Sequence, residues 1–302
     1  MNYLKDYREG EKFVGTYLCK QKQILKTKAG KTYYSLTLQD KTGTADGKIW
    51  ELNNGIANFE PMDYIHCEGM VTSFQGNLQM NISRVRISDE GEYDPADYVP
   101  CTNKDVGEMF SRILKYVASV QNKYLRKILE MYFVENKEFV DAFKKHSAAK
   151  SVHHGFMGGL LEHTLSVTDM CQYFAEHYPM IHRDLLITAA LFHDMGKIQE
   201  ISDFPMNDYT DDGQLLGHIY IGARCMENAA AQIPNFPPKL KNELVHCILA
   251  HHGKMEFGSP KVPAIMEAMA LHMADNADAK LQTLTEVFTQ AGDNMGWFQP
   301  HV

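Results

Sequence analysis

The stretch LLITAALFHDMGK, residues 185–197, decides how the second half of this chain folds. Counted from Leu186, its apolar residues and His193 recur at i, i+3, i+4 and i+7, the spacing of one helix face. This pattern predicts a buried helix that is closed by Gly196 and directs His193, with Asp194 beside it, at the core. Burying an imidazole beside a carboxylate is costly unless something compensates. Either a divalent metal ion binds both groups, or Asp194 caps a helix beside a histidine that is satisfied within the core.

Four more predicted helices repeat this arrangement, each with one ionisable residue on an apolar stripe. These residues are His163, His218, His251 and Asp275, and His252 adjoins the third of them. Taken singly, each has an ordinary explanation as a buried polar group with its own hydrogen-bond partner. Taken together, they are satisfied more simply by one shared centre. The sequence therefore predicts five helices that converge on a single metal site.

Composition places the histidine chemistry in the second half of the chain. The protein has 302 residues, enough for two domains, and 44% of them are hydrophobic, as in globular proteins. Twelve of its 14 histidines lie between His146 and His272. The net charge of −8 argues against a protein that coats nucleic acid with its whole surface.

Two further patterns bear on the compartment. No charged and apolar leader opens the sequence, and no apolar run reaches the ~18 residues that would cross a bilayer. The six cysteines include no C-x-x-C pair, so they read as buried or unpaired reduced thiols. We therefore expect a cytoplasmic protein that has no membrane partner.

Residues 11–88 alternate between apolar and polar positions and are broken by turn signals, which predicts strands. A short helical or irregular piece is expected at 53–59, between the third strand and the fourth. Five strands with such a piece are typical of an OB-fold barrel. The predicted strands are 13–18, 33–38, 44–50, 64–74 and 78–87.

An OB-fold barrel commonly binds single-stranded nucleic acid, with aromatic rings for the bases and lysines for the phosphates. Tyr34, Lys48 and Trp50 are the main candidates for this role, and Tyr33 and Phe74 are further candidates. Alternation places Lys48 and Trp50 on one strand face, and Tyr33 and Tyr34 on opposite faces. The alternative is that the aromatics face the core and that the lysines, which give residues 12–48 a local excess of positive charge, are merely solvated.

The fold class that follows is a multidomain one, an N-terminal all-β OB-fold barrel followed by an all-α helical bundle. We expect the barrel in residues 1–88 and an acidic, proline-containing linker in 89–104. The helical domain should occupy 105–290, with amphipathic helices at 106–120, 124–133 and 137–145. The tail, 291–302, contains Trp297 and Phe298, which are candidates for a contact with another subunit of a homo-oligomer.

The ordered set His163, His193-Asp194 and Asp275 resembles the H…HD…D signature of HD-domain metal-dependent phosphohydrolases. His218 and His251 stand where dinuclear members of that superfamily carry two more histidines. A barrel followed by such a domain resembles the YhaM family of bacterial 3′→5′ exoribonucleases. The segments GGLLEHTL, residues 158–165, and LFHDMGK, residues 191–197, are similar to that family's own segments. The resemblance extends over about residues 13–280.

The resemblance implies a hydrolase that removes nucleotides from the 3′ end of single-stranded RNA, with single-stranded DNA as a further candidate substrate. It implies two divalent metal ions, with Mn²⁺ favoured and Fe²⁺, Co²⁺ or Zn²⁺ as alternatives. Asp194 would bridge the two ions with its two oxygens. His163, His193 and Asp275 would complete the first metal site, and His218 and His251 the second.

Four further residues are candidates for contacts with ions or substrate. His252 is interpreted as a catalytic residue, either as an additional ligand or through a substrate contact. Lys197 would neutralise a phosphate oxygen. His153 and His154, in the glycine-rich loop before His163, would hydrogen-bond the scissile phosphate, unless they are ordinary loop histidines.

Two other functions remain open at this point. HD phosphohydrolases also act on nucleotides or cyclic dinucleotides, but the cyclic-dinucleotide class usually carries Gly-Tyr-Pro after its paired histidines. Here residues 258–260 read Gly-Ser-Pro, which argues against that class. The other alternative is a non-catalytic single-stranded RNA-binding module in which the helical domain is only a metal-stabilised platform.

Overall fold

The computed structural model describes residues 2–53, 55–74, 76–150 and 154–291. The chain divides into two compact units, Met1–Pro100 with Phe204–Met206, and Cys101–Asp203 with Asn207–Val302. The change from one unit to the other at residue 100 falls inside the predicted linker. Most of that linker packs on the first unit, because Tyr93 stacks on Tyr64 with ring centroids 4.0 Å apart.

The first unit is a closed five-stranded barrel with the strand order β1-β2-β3-β5-β4. The pairing of β3 with β5 is parallel, and the other pairings are antiparallel. This closed Greek-key order is that of an OB-fold, so the predicted fold of the first unit is confirmed. Its strands are β1 Lys12–Lys26, β2 Thr32–Asp40, β3 Gly43–Ile49, β4 Tyr64–Phe74 and β5 Asn77–Ile87.

Strand β1 is longer than the predicted 13–18 because it serves two neighbours in succession. Its first half, Lys12 to Leu18, pairs with β4, and its second half, from Leu18 to Lys26, pairs with β2 across a bulge. The polar second half lacks the alternation that signals a strand, so its hydrogen-bonded partner alone keeps it extended. Between β3 and β4, the described residues of 51–63 form turns and one bridge to β5 rather than a helix.

The second unit is a bundle of helices. The predicted amphipathic segments at 106–120, 124–133 and 137–145 correspond to its first three helices, which follow Asp105, Asn122 and Asn136 as side-chain N-caps. None of the helices in the described ranges is long and apolar enough to cross a membrane. The helices are α1 Val106–Ser119, α2 Lys123–Phe133, α3 Lys137–Lys145, α4 Gly159–His177, α5 Arg183–Phe192, α6 Lys197–Glu200, α7 Asp211–Ala231, α8 Pro238–Ala250 and α9 Met266–Ala291.

Helix α5 lies at the centre of this bundle. Every residue from Leu185 to Phe192 is buried, and α4, α8 and α9 pack around it. A helix that is apolar on all sides is stable only when it is surrounded by others. Its burial carries the next two residues, His193 and Asp194, into the interior, where they are 0% and 2% exposed.

Candidate metal centre

The structure brings all six predicted ligands together inside the second unit. His163 comes from α4, His193 and Asp194 follow α5 directly, and the rest come from α7, the end of α8, and α9. Their side chains form two groups that meet at Asp194. The remaining ligands are His218, His251 and Asp275.

The first group surrounds one carboxylate oxygen of Asp194. Nε2 of His163 lies 3.3 Å from Oδ2 of Asp194, and Nε2 of His193 lies 3.5 Å from the same oxygen. Oδ1 of Asp275 lies 3.2 Å from Nε2 of His163 and 3.9 Å from that of His193. The two imidazole Nε2 atoms are 3.2 Å apart. Because metal–ligand bonds are about 2.0–2.2 Å long, donor atoms at such separations can share one ion.

The second group surrounds the other oxygen of Asp194. Nε2 of His218 lies 3.5 Å from Oδ1, and Nε2 of His251 lies 3.6 Å from it. A nitrogen of His252 joins them, and the ligand atoms of these three histidines lie within 4.8 Å of one another. The carboxylate therefore offers one oxygen to each group, as a ligand between two ions would.

Each of these histidines directs Nε2 into the centre because its Nδ1 is engaged on the outside. Nδ1 of His193 bonds the Ala190 carbonyl at 2.7 Å. A carbonyl can only accept, so Nδ1 carries the hydrogen and Nε2 keeps a lone pair for a metal. The same outer bonds are made by His251 to the Ile248 carbonyl, His252 to the Phe257 carbonyl, His218 to the Glu200 carboxylate and His163 to the Asp278 carboxylate.

Four of the atoms that could bind a metal ion are buried without a hydrogen-bond partner in the described part of the chain. They are both carboxylate oxygens of Asp194, Nε2 of His218 and Nε2 of His251. The ammonium of Lys197 lies 2.6 Å from Oδ2 of Asp194, an ion-pair contact that lacks hydrogen-bond geometry. Buried polar atoms normally have partners. Imidazole nitrogens and carboxylate oxygens that lack partners and converge from several helices are suited to bind divalent metal ions.

Electrostatics keep the carboxylate ionised despite its burial. Desolvation alone would raise the pKa of Asp194, but Lys197 and the neighbouring histidines outweigh it and hold that pKa well below its usual range. Burial lowers the pKa of His193 to about 4, so this imidazole is neutral at pH 7. For His163, burial favours the neutral form, but the carboxylates of Asp194 and Asp275 outweigh it and raise its pKa. The centre thus combines the ionised carboxylate of Asp194 with imidazoles that can bind a metal ion when they are neutral.

Gly196 has a different role from the predicted one. Helix α5 already ends at Phe192, and Gly196 keeps right-handed helical angles, with φ −63°, at the start of α6. A Cβ built there would lie 2.1 Å from the carbonyl oxygen of His218. Glycine is therefore required because the backbones of the turn after α5 and of α7 touch, which brings His218 to Asp194.

Helix α7 is kinked before His218. Gly217 has φ 72° and ψ 153°, which are not helical angles. Leu215, three residues before His218, is 81% exposed, whereas Gly213 and His218 are buried. The kinked helix thus still places His218 beside the other predicted ligands.

Asp278 belongs to the site although the sequence reasoning passed over it. Its Oδ2 accepts from Nδ1 of His163 at 2.7 Å, and its Oδ1 bonds the Ser166 hydroxyl. Burial would raise the pKa of Asp278. Its hydrogen bonds with His154, His163 and Ser166 outweigh that effect and hold the pKa well below its usual range. The available signal was its position three residues after Asp275, on the same face of α9.

His154 does not lie where the prediction put it. His154 is 2% exposed, and its Nε2 is 3.0 Å from Oδ2 of Asp278, so it supports that carboxylate from behind. A buried ring held in this way is not available to a scissile phosphate, and this prediction for His154 is corrected. His153 lies outside the described residues.

A cavity of about 450 Å³ opens beside the centre. Lys197 and His252 reach its wall, together with the ligands His163 and Asp275. Burial lowers the pKa of His252 to about 4, so it is neutral at pH 7. The other residues of the wall are Ala148, Phe257, His272, Asn276 and Ala279.

In the barrel, the predicted nucleic-acid residues are divided between two faces. Trp50 is 40% exposed and stacks on Tyr33, with ring centroids 4.6 Å apart. Tyr34 instead packs edge-on against Phe59 and the barrel core, because it shares its strand face with the buried Leu36. Of the two tyrosines, Tyr33 is therefore the one that lies beside Trp50.

Lys48 shares the outer face with Trp50, as alternation predicts, but its charge is already compensated. Its Nζ donates to Oδ1 of Asp46 at 2.6 Å and to the Ser35 hydroxyl at 2.7 Å. Its side chain is only 15% exposed. A lysine bound in this way contributes little net charge to a phosphate contact.

The fold and the ligand set define an HD-domain protein. The family model described as "HD domain" matches residues 160–280, which include His163, the His193-Asp194 pair and Asp275. This match confirms the prediction that the helical domain is an HD domain.

Full-length relatives give the narrower assignment. The 3′-5′ exoribonuclease YhaM of Bacillus subtilis (strain 168) is 32% identical over 262 residues, which cover 84% of this chain and 81% of the relative. The protein of the same name from Geobacillus sp. (strain WCH70) is 32% identical over 257 residues, covering 84% and 78%. That from Listeria innocua serovar 6a is 32% identical over 293 residues, covering 94% and 90%. The chain belongs to the YhaM family of 3′-5′ exoribonucleases, which confirms the predicted class of enzyme.

Proposed function

We propose that this protein hydrolyses the phosphodiester bonds of single-stranded RNA one nucleotide at a time from the 3′ end, with two divalent metal ions. The observation that carries the proposal is the division of Asp194, which turns one oxygen to His163 and His193 and the other to His218 and His251. A bridging carboxylate between two groups of imidazoles is the donor arrangement of a two-metal hydrolytic site.

The residues of the site would have distinct roles in hydrolysis. Asp194 and Asp275 supply negative charge, and the imidazoles hold the ions without adding charge. When bound, two ions supply an activated water and neutralise charge on the phosphate. Water oxygen then becomes bonded to phosphorus while the bond to the O3′ of the preceding nucleotide breaks, which releases a nucleoside 5′-monophosphate.

Lys197 and His252 have different parts in this scheme. Burial opposes the charge on Lys197, but Asp194 outweighs it and raises the pKa of the ammonium, which therefore stays cationic at the cavity wall. A fixed cation there stabilises the charge that develops on the phosphate oxygens. His252 bears its hydrogen on Nδ1, which donates to Phe257, so Nε2 has a lone pair to offer. That arrangement favours a metal ligand over a proton donor.

The donor set also bears on the metal. Sites that mix imidazole with carboxylate suit Mn²⁺, Fe²⁺, Co²⁺ or Zn²⁺ better than Mg²⁺, which prefers oxygen ligands. Among these we propose Mn²⁺, on the resemblance to the YhaM family.

The barrel would hold the strand upstream of the cleaved end. The half-buried Tyr33 and the exposed Trp50 stacked on it supply a surface on which bases stack, and such binding tolerates any sequence. Single-stranded DNA has the same bases and phosphates, so we propose it as a weaker ligand of this barrel face. Phosphate contacts make the affinity depend on salt.

The test is an assay of an oligoribonucleotide labelled at its 5′ end, incubated with the full chain and Mn²⁺. We expect a ladder that shortens from the 3′ end and needs the metal, while a single internal cut would overturn the proposal. Asp194→Asn should abolish hydrolysis and reduce bound metal, yet leave RNA binding nearly intact. Loss of binding together with hydrolysis would instead indicate that the His193-Asp194 pair only supports the fold.

A further inference from the structure

The cavity beside the metal centre is lined by groups of different chemistry. Lys197 is a cation, and His163 and Asp275 are predicted metal ligands. Phe257, His272 and Asn276 add an aromatic ring, an imidazole and an amide to the same lining. At about 450 Å³ it falls within the range of about 300–1,000 Å³ of small-ligand sites.

Phe257 is exposed and yet held in a fixed position. It is 56% exposed at the end of the short 3-10 turn Met255–Phe257. Its carbonyl accepts from Nδ1 of His252 at 2.9 Å, and its amide donates to the Lys254 carbonyl at 3.1 Å. Gly258 ends the turn with φ +86°, a conformation that favours glycine. The backbone of Phe257 is therefore fixed beside His252, and its exposed ring is available for stacking.

Helix α9 supplies the polar part of that wall. His272, Asp275, Asn276 and Ala279 lie at the spacings that share one helix face. Nδ1 of His272 donates to the His251 carbonyl at 2.9 Å. A Cβ on Gly253 would lie 2.2 Å from the His272 ring, so a glycine is needed to admit it. The ring orientation is therefore locked, as it is for the metal ligands.

Asn276 differs from its neighbours on this face. It is half-buried at the cavity wall, one residue after the ligand Asp275. Its amide has no hydrogen-bond partner within residues 2–53, 55–74, 76–150 and 154–291. An amide offers both donors and an acceptor. Such a group at the wall of a cavity is suited to a ligand that carries hydroxyls.

Resting on the proposed function, we propose that this cavity binds the 3′-terminal nucleoside of the strand. Phe257 stacks on the terminal base, and Asn276, with His272, hydrogen-bonds the hydroxyls of the terminal ribose. The 5′-phosphate of that nucleotide then lies toward the metal centre and Lys197. A nucleotide carries an aromatic base, ribose hydroxyls and an anionic phosphate, the groups that these lining residues are suited to contact. Because stacking is sequence-tolerant, the site accepts any base.

The first test compares Phe257→Ala with Met255→Ala in the full chain with Mn²⁺. Met255 is 73% exposed on the same turn but does not line the cavity, so it is the matched control. Stacking contributes about 1–3 kcal/mol per base, so Phe257→Ala should raise KM about 5- to 150-fold. Phe257→Tyr should restore the KM, and Met255→Ala should leave it unchanged. Calorimetric titration with adenosine 5′-monophosphate should show the same loss for Phe257→Ala, independently of turnover.

The second test removes the base instead of the ring. An oligoribonucleotide with an abasic 3′-terminal residue should raise the KM of the wild type by a factor similar to that of Phe257→Ala. On that substrate, Phe257→Ala should not raise the KM further, because the two changes remove the same contact. If the two losses multiply, Phe257 does not contact the terminal base and the proposal is overturned.

The third test concerns Asn276. The wild type should prefer a terminal ribose over a terminal 2′-deoxyribose, and Asn276→Ala should reduce that preference while its metal content, measured by titration, is unchanged. An unchanged preference would overturn the assignment of Asn276. If the wild type produces no 3′ ladder, the proposed function itself fails. If it does, but Phe257→Ala behaves like Met255→Ala, only the terminal-nucleoside site fails.

Discussion

At the scale of single residues, Asp278 shows how a ligand is held in place. It fixes Nδ1 of His163 and is itself held by His154 and Ser166. These contacts determine both the tautomer and the ring orientation of His163. Groups that orient a ligand in this way usually matter for metal affinity nearly as much as the ligand does.

We therefore expect Asp278→Ala to weaken metal binding about 10- to 100-fold, the usual effect of losing such a partner. Asp278→Asn should weaken metal binding less than Asp278→Ala does, because the amide oxygen of asparagine can still accept a hydrogen bond from His163. Titration calorimetry of the metal-free full chain measures both. Lys280→Ala, an exposed change on the same helix, is the control. Equal affinities for all three variants would show that His163 needs no such support.

The protonation of His163 and His251 leads to a pH prediction. Burial opposes their charged forms, but nearby carboxylates, Asp194 among them, outweigh it and raise both pKa values in the metal-free protein. A metal binds only the neutral ring, so binding must release protons and metal affinity must increase as pH rises.

Calorimetry from about pH 6 to about pH 8, in two buffers of different ionisation enthalpy, measures both the affinity and the protons released. We expect tighter binding at the higher pH and a net proton release at the lower one. An affinity that does not change with pH would contradict the raised pKa values.

At the scale of secondary-structure elements, the contact between the turn after α5 and α7 sets the second ligand group. Gly196 has ordinary helical angles, so replacing it by Ala should by propensity alone stabilise the fold by about 0.5–1 kcal/mol. The carbonyl of His218, 2.1 Å from the added Cβ, is backbone and cannot move without moving α7. Overpacking of this kind typically costs about 1–3 kcal/mol, so the clash should outweigh the gain.

We expect Gly196→Ala to lower the thermal unfolding temperature and to weaken metal binding where His218 contributes. Gly222→Ala, on the facing turn of α7, is the matched control. The nearest atom to its Cβ would be Cγ2 of Ile248 at 3.5 Å, an ordinary contact. That variant should be as stable as the wild type or slightly more so. If both glycines tolerate alanine equally, the backbone approach does not hold α7 in place.

At the scale of the whole molecule, we propose that RNA binding and hydrolysis belong to different units. The barrel presents the Tyr33 and Trp50 stack, and Lys48 on the same face is neutralised by Asp46. In the full chain, Trp50→Ala should weaken binding of a single-stranded oligoribonucleotide by about 1–3 kcal/mol, while kcat is preserved. Lys48→Ala should weaken binding less than Trp50→Ala does, because Asp46 and Ser35 already engage the ammonium of Lys48.

Fluorescence anisotropy at several salt concentrations measures these affinities and the charge that contributes to them. The logarithm of the affinity should fall linearly with the logarithm of salt concentration. The slope should be nearly the same for the wild type and Lys48→Ala. A clearly shallower slope for Lys48→Ala would show that this lysine does contact phosphate in the complex.

The sequence by itself determined the features that are encoded locally. Helical spacing identified α1 to α3, the buried α5 and the six predicted ligands from His163 to Asp275 that converge in the structure, and strand alternation identified an OB-fold of five strands. These features depend on the period of apolar residues, which is visible in one dimension. The polar half of β1 was missed because only its pairing with β2 keeps it extended.

Tertiary structure alone decided how these parts meet. It divided the oxygens of Asp194 between two groups of histidines, turned His154 away from the cavity toward Asp278, and paired Lys48 with Asp46. It also placed Phe257 and Asn276 on the wall of the cavity that His163 and Asp275 line. Such contacts join residues far apart in the chain, and their geometry follows from how whole helices and strands pack, which no local pattern of residues records.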